Sequence, residues 1–184
     1  MERGSDSPVE RTGTATGAVE VRPATADELD TAAGVLEDAL RWAAARGFES
    51  WPAGTFHDPH GWGRTVLRHA LEVDGLFLVE RSGRAVATLS LFPEDEVFWP
   101  GAGPDGLYLH RFAVRRSASG TGVGAEALAW CEAEVRRRGR RFLRLDCVAE
   151  NPGIRRYYET AGFEHRGDMV VNELGFSLYE KRVG

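Results

Sequence analysis

Three glycines, Gly120, Gly122 and Gly124, occupy alternate positions in the stretch Ser119-Gly-Thr-Gly-Val-Gly-Ala125. Lacking a Cβ, they let the backbone turn sharply, so that consecutive N–H groups can converge on an anion. An amphipathic helix begins at once, and its unpaired N-terminal amides and positive dipole end add to the same site. Phosphate or pyrophosphate is the ligand that such a loop suits. The same glycines would also serve a tight strand-to-helix connection, and a short glycine pattern alone does not separate the two readings. A dinucleotide site is one form of the phosphate reading. Gly122-Val-Gly124-Ala-Glu-Ala127 has the spacing G-x-G-x-x-A, and Asp146 lies 22 residues after Gly124, where a ribose-binding acid is expected.

Other reactive side chains are sparse. Cys131 and Cys147 lack the clustered spacing of a metal site or disulfide framework, so both read as buried thiols. His57 and His60 fall in an irregular aromatic-rich segment, Phe48 to Gly63, with no third ligand at a usual spacing, and no metal is expected.

The elements that must position these residues follow from periodicity. Leu107 to Val114 is an aromatic and aliphatic run suited to a strand buried on both faces, and the helix after the glycine loop runs to Gly139. Arg141 to Val148 is the next strand, so strand, helix and strand form a parallel crossover. Upstream, Val19 and Val21 alternate with charged residues as a short strand, and Thr25-Ala-Asp-Glu28 is a capping box. Leu29, Ala32, Ala33, Leu36, Leu40 and Ala43 then give a helix one apolar face until Gly47. A second helix spans Thr65 to Glu72, and Leu76 to Glu80 with Arg84 to Phe92 reads as a hairpin about Ser82-Gly83. Asn151-Pro152 opens a last helix that Gly162 stops, and Phe163 to Val171 with Leu174 to Lys181 form a closing strand pair. Residues 1–18 have almost nothing to bury and are expected to be a disordered tail before one domain, residues 19–184. The glycine loop begins several residues past its strand, and only one parallel crossover is visible, both of which count against a doubly wound dinucleotide fold.

The net charge of −5 argues against a general nucleic-acid binder. No apolar run is long enough to span a membrane and no signal-peptide core is visible, so a cytoplasmic protein is expected.

With its downstream residues included, the chain resembles the GNAT superfamily of acyl-CoA-dependent N-acetyltransferases. In that family a strand ending in a hydrophobic residue, Ala and Val precedes R/Q-x-x-G-x-G/A; here Phe112-Ala113-Val114 precedes Ser119-Gly120-Thr121-Gly122-Val123-Gly124-Ala125. The family's next motif, Asn and then Tyr-Glu-x-x-Gly-Phe, is matched by Asn151 and by Tyr158-Glu-Thr-Ala-Gly-Phe163. The resemblance covers roughly residues 19–181, with its specific part at the centre. It departs at Ser119, where the family usually has Arg or Gln; Arg115 and Arg116 are candidates to replace that contact.

The resemblance implies a mixed, mostly antiparallel sheet flanked by helices (α/β, of α+β type), with one parallel crossover splayed to admit acetyl-CoA. The cosubstrate's pyrophosphate would lie on the amides of Gly120 to Ala125, and its pantetheine arm beside Phe112, Ala113 and Val114, held also by Asn151. The implied reaction is direct attack of a small molecule's primary amine on the thioester. Tyr158 matches the tyrosine that protonates the leaving thiolate. His110, whose ordinary pKa is near neutrality, is the candidate base, with Glu96 or a water chain as alternatives, and the Phe112 amide is the candidate oxyanion donor. The context Tyr108-Leu-His110-Arg-Phe is similar to the arylalkylamine N-acetyltransferase branch. Trp42, Trp51, Trp99 and Tyr108 are the expected acceptor-binding residues, Trp62 another aromatic of the same region, and the acids Glu94 to Glu96 would attract a cationic amine. A non-catalytic acyl-CoA sensor is the alternative, which Ser119 favours. A homodimer through the C-terminal strands is left open.

Overall fold

A computed structural model describes residues 17–48 and 51–184. The tail expected over residues 1–18 lies outside them except for its last two residues. The elements are β1 (Glu20–Pro23), α1 (Leu29–Ala44), α2 (Trp62–Glu72), β2 (Leu76–Arg81), β3 (Arg84–Phe92), β4 (Gly106–Val114), α3 (Val123–Arg137), β5 (Phe142–Val148), α4 (Pro152–Thr160), β6 (Glu164–Val171) and β7 (Leu174–Arg182).

Local chemistry accounts for most of the boundaries. The capping-box acid Glu28 reaches back to accept from the Thr25 N–H at 2.9 Å, a short 3₁₀ turn follows, and α1 starts at Leu29. Asn151 caps α4, its Oδ1 accepting from the N–H groups of Gly153 and Ile154 at 3.1 Å each. The start of α2 falls three residues before the expected Thr65. Its first turn has no apolar periodicity of its own and is anchored by Trp62, which packs on Trp51 and Phe56 with ring centroids 5.5 and 6.4 Å away.

The seven strands form one sheet in the order β1-β2-β3-β4-β5-β7-β6, in which only β4 and β5 run parallel. That single parallel pair within an antiparallel sheet excludes the doubly wound dinucleotide fold. Alternation along the strands builds two cores. Leu107, Leu109, Leu143 and Leu145 pack with Val123, Ala127, Leu128 and Cys131 of α3 and Tyr158 of α4 on one face. On the other, Leu76, Leu78 and Ala113 pack with Ala32, Ala33 and Leu36 of α1 and Leu67 and Ala70 of α2.

The central pair is closed at one end and open at the other. Parallel pairing runs from Gly106↔Phe142 to Leu109↔Leu145 and goes no further, although both strands continue. At the closed end Tyr108, Arg144 and Glu180 stand side by side across β4, β5 and β7. The Arg144 guanidinium donates to Glu180 at 2.7 Å and to the Tyr108 hydroxyl at 2.9 Å, and it lies over the Trp99 and Phe142 rings. At the open end β4 carries a bulge: Thr88 faces Ala113 and Ser90 faces His110, so Leu89 opposes two residues, Arg111 and Phe112. Arg111 has φ +49°, in the left-handed region.

Candidate active site

The glycine loop has the geometry its sequence suggests. Gly122, the N-cap of α3, has φ +88°, a conformation costing a side-chain-bearing residue about 1–2 kcal/mol. Gly124 has no such φ; its constraint is space, since a Cβ there would lie 2.5 Å from the Tyr157 hydroxyl. The amides of Val123, Gly124 and Ala125, in the first turn of α3, have no acceptor four residues back. The loop is fastened from β2: Arg81, at the strand's end, donates to the carbonyl and hydroxyl oxygens of Thr121 at 3.1 and 3.0 Å and to Glu126 at 2.6 Å.

The two candidate arginines beside Ser119 differ. Arg115 points inward and donates to the carbonyls of Ala85 and Gly34 at 3.0 and 3.5 Å. Arg116 donates to the Ser119 hydroxyl at 3.0 Å, so a guanidinium stands next to the position where the family usually has Arg or Gln. Trp42 belongs to this corner, held between the guanidinium carbons of Arg46 (4.1 Å) and Arg116 (4.6 Å).

A cavity of about 880 Å³ runs through the open end of the sheet. Side chains from both faces line it: His110, Arg111, Ala113 and Asp146 from the α1–α2 side, and Asn151, Ile154 and Tyr158 of the α4 side. Phe48, Trp51, Trp62, Val66 and Phe92 form its apolar wall, and Glu94, Asp95 and Glu96 its acidic rim. Of the expected acceptor-binding residues, Trp51 lines the cavity. Trp42, Trp99 and Tyr108 do not: Trp42 sits at the loop, while Tyr108, 2% exposed, and Trp99 pack around Arg144 at the closed end. Tyr108 shares a face with His110, but it lies where the strands are still paired.

His110 stands between two carboxylates, its Nε2 3.1 Å from Asp95 Oδ2 and its Nδ1 3.3 Å from Asp146 Oδ1. The sheet explains the second contact. His110 follows Tyr108 by two residues and Asp146 follows Arg144 by two, so both fall on one face just past the last paired residues. The first contact comes from the loop after β3, where Asp95 Oδ1 also accepts from the N–H groups of Val97 and Phe98 at 3.1 Å each. Burial opposes charge on His110, but the Asp146 and Asp95 carboxylates outweigh it and raise its pKa above the usual histidine range. Burial likewise opposes charge on Asp95, and the contact with His110 outweighs it, holding that carboxyl below its usual range. Glu96, the alternative base considered above, is exposed and faces the Gly101 N–H at 3.4 Å. The trio Asp95, His110 and Asp146 also offers one ligand atom each within 4.8 Å of one another, as a metal site would. Because each ring nitrogen of His110 faces a different carboxylate, the arrangement favours the doubly protonated imidazolium by charge.

Tyr158 enters from the opposite face, 4% exposed and packed edge-on against Phe163 at 5.6 Å. Burial pushes its phenol well above the ordinary range, so it keeps its proton at any working pH. Its neighbour Tyr157 turns outward towards Gly124. Cys147 also lines the cavity, with burial pushing its thiol up to about 12. Asn151 Oδ1 is engaged in the cap, and the residue also lines the cavity.

A sheet opened at a single parallel pair beside a glycine loop and helix N-terminus is the arrangement of an acyltransferase. The model of the acetyltransferase (GNAT) family matches residues 35–163, and the chain belongs to that family. It is 28% identical over 170 residues to the uncharacterized N-acetyltransferase YesJ of Bacillus subtilis, covering 88% of each chain. A GNAT-family acetyltransferase of Listeria monocytogenes superposes with a TM-score of 0.71 at 25% identity, over 92% of this chain and 98% of that one. The PaiA N-acetyltransferase of Thermoplasma acidophilum, solved in complex with coenzyme A, has the same fold, with a TM-score of 0.69 at 13% identity over 90% and 99% of the two chains.

Proposed function

We propose that this acetyltransferase moves an acetyl group from acetyl-CoA to the primary amine of a small molecule by direct attack. The observation that carries this reading is a continuous cavity through the open β4–β5 end, with His110 on one face of the sheet and Tyr158 on the other. The pyrophosphate would rest on the amides of the α3 N-terminus, with Arg116 beside Ser119 supplying positive charge. The pantetheine arm would follow β4 along Phe112, Ala113 and Val114, with Asn151 donating to it. No step needs more than this chain's own groups. His110, neutral above its raised pKa, takes a proton from the ammonium so that the amine can attack. The backbone N–H of Phe112, at the bulge, donates to the oxyanion, and Tyr158 gives its proton to the departing thiolate. A covalent acyl-cysteine is disfavoured because the Cys147 thiol, pushed up to about 12, is almost wholly protonated near neutrality.

The size of the cavity and its wall of Trp51, Trp62 and Phe92 support a small acceptor with an apolar body, in keeping with the arylalkylamine-like context of His110. The two free, buried cysteines accord with a cytoplasmic setting. The test is acetyl-CoA-dependent release of free CoA thiol with a broad panel of amines. Saturable release with at least one small amine is expected. Acetyl-CoA binding by calorimetry with no release from any amine would favour a non-catalytic sensor instead.

A further inference from the structure

Arg111 is unaccounted for by the chemistry above. It directly follows His110, and the bulge at Arg111–Phe112 breaks the alternation of β4, so that both side chains line the same cavity. Its φ of +49° is a conformation that non-glycine residues rarely adopt, and such strain persists where the surroundings impose it. The guanidinium lies over Phe92, 5.9 Å from the ring centroid. Its Nε and Nη1 atoms are out of contact with solvent and have no hydrogen-bond partner among the described residues. The acids nearest in charge, Asp95 and Asp146, are already engaged against His110. A guanidinium remains charged and keeps five fixed donors, so leaving two of its nitrogens shut off from water and unpaired is destabilising unless a ligand completes them.

The geometry points to Arg111 as the anion-recognising group of the acceptor subsite, which makes the preferred acceptor an amine that also carries a carboxylate. This rests on the proposed amine acetylation at His110. Adjacent Cα atoms are about 3.8 Å apart, so groups at His110 and Arg111 can meet an amine and an acid separated by few bonds, as in an amino acid. A planar guanidinium matches a carboxylate with two parallel hydrogen bonds. The acids Glu94, Asp95, Glu96 and Asp146 around the same space disfavour a dianion such as a phosphate and suit a zwitterion. The apolar wall would take the side chain. The other source of acceptor oxygens in reach is an amide carbonyl of the cofactor arm, and the experiment separates the two.

The experiment compares kcat/KM for phenylalanine with phenethylamine and for leucine with isoamylamine, at saturating acetyl-CoA, in the unaltered protein and in Arg111→Gln. Acetyl-CoA binding by calorimetry and thermal melting are measured on both proteins. The expected result is a preference of about tenfold or more for the carboxylated member of each pair. In Arg111→Gln that preference is lost because KM rises far more for the amino acids than for the free amines, with acetyl-CoA affinity unchanged and a melting temperature no lower. Equal use of both members, or preference for the free amines, by the unaltered protein would overturn the inference while leaving amine acetylation intact. Loss of acetyl-CoA binding in a folded Arg111→Gln would assign the guanidinium to the cofactor arm instead. Acetyl-CoA binding without transfer to any amine would remove the proposed function, and this inference with it.

Discussion

The two carboxylates on His110 set how its imidazole can work. A base must be neutral to take a proton, and the pair holds His110 above its ordinary pKa, so the acid limb of the rate profile should fall above about pH 6.5. Asp146→Asn removes one charge and lowers the His110 pKa, so the limb should move to lower pH; a limb that stays in place would dissociate Asp146 from the base. Tyr158→Phe should reduce kcat by about 100-fold or more while leaving acetyl-CoA affinity unchanged, since a general acid acts in the transition state; equal rates would remove Tyr158 from the chemistry. At this scale the sequence was only partly legible. His110 and Tyr158 stood out through motif context. Asp146 stood out too, but as a ribose-binding acid, because its meeting with His110 depends on which strand lies beside β4 and where pairing ends. Asp95 was indistinguishable from its solvated neighbours Glu94 and Glu96, since only the turn it caps aims it inward. Arg111 gave no signal, as a strand bulge has no local signature there.

Among the elements, the β4–β5 pair and the glycine loop decide where a cofactor can lie. The Tyr108–Arg144–Glu180 row fixes one end of the pair, and four matched residue pairs precede the opening. The loop depends on Arg81, whose side chain is 10% exposed and ties β2 to Thr121 and Glu126. Arg81→Met should therefore raise the KM for acetyl-CoA several-fold with little change in kcat, because it loosens the cradle without touching the reacting atoms. A fall in kcat alone would contradict this. The elements themselves were legible: capping residues, glycine stops and apolar periods marked nearly every boundary. The first turn of α2 was missed because Trp62 is held by Trp51 and Phe56, contacts set by tertiary packing. Trp42, Trp99 and Tyr108 show the complementary limit, since aromatic character alone does not say whether a ring faces a cavity or a guanidinium.

For the molecule as a whole, α1 and α2 with their connection form one wall of the cavity and the sheet the other. The part of that connection from Trp51 onward is fastened to α1. Glu37 of α1, 1% exposed, accepts from the Gly54 N–H at 2.8 Å and the Phe56 N–H at 2.6 Å. Phe56, fully buried, then supports Trp51 and Trp62 on the cavity side. Glu37→Leu would strand the buried Phe56 N–H and leave the exposed Gly54 N–H to water, and should cost about 1–3 kcal/mol by denaturant unfolding. It should also raise acceptor KM through the displaced tryptophans, and an unchanged stability would show that the connection is held elsewhere. The mixed sheet with a single parallel pair followed from the central motifs, which also matched the family now shown. The size and chemistry of the acceptor cavity did not follow, because its lining comes from segments widely separated in the chain.

The central claim is that His110, at the open end of the sheet, takes the proton from the acceptor amine. The most direct measurement is the pH dependence of kcat/KM for one accepted amine, in the unaltered protein and in His110→Ala. An acid limb in the former that is absent from a slower, folded His110→Ala is the predicted result. A limb that survives the substitution at the same pH would place the base on another group.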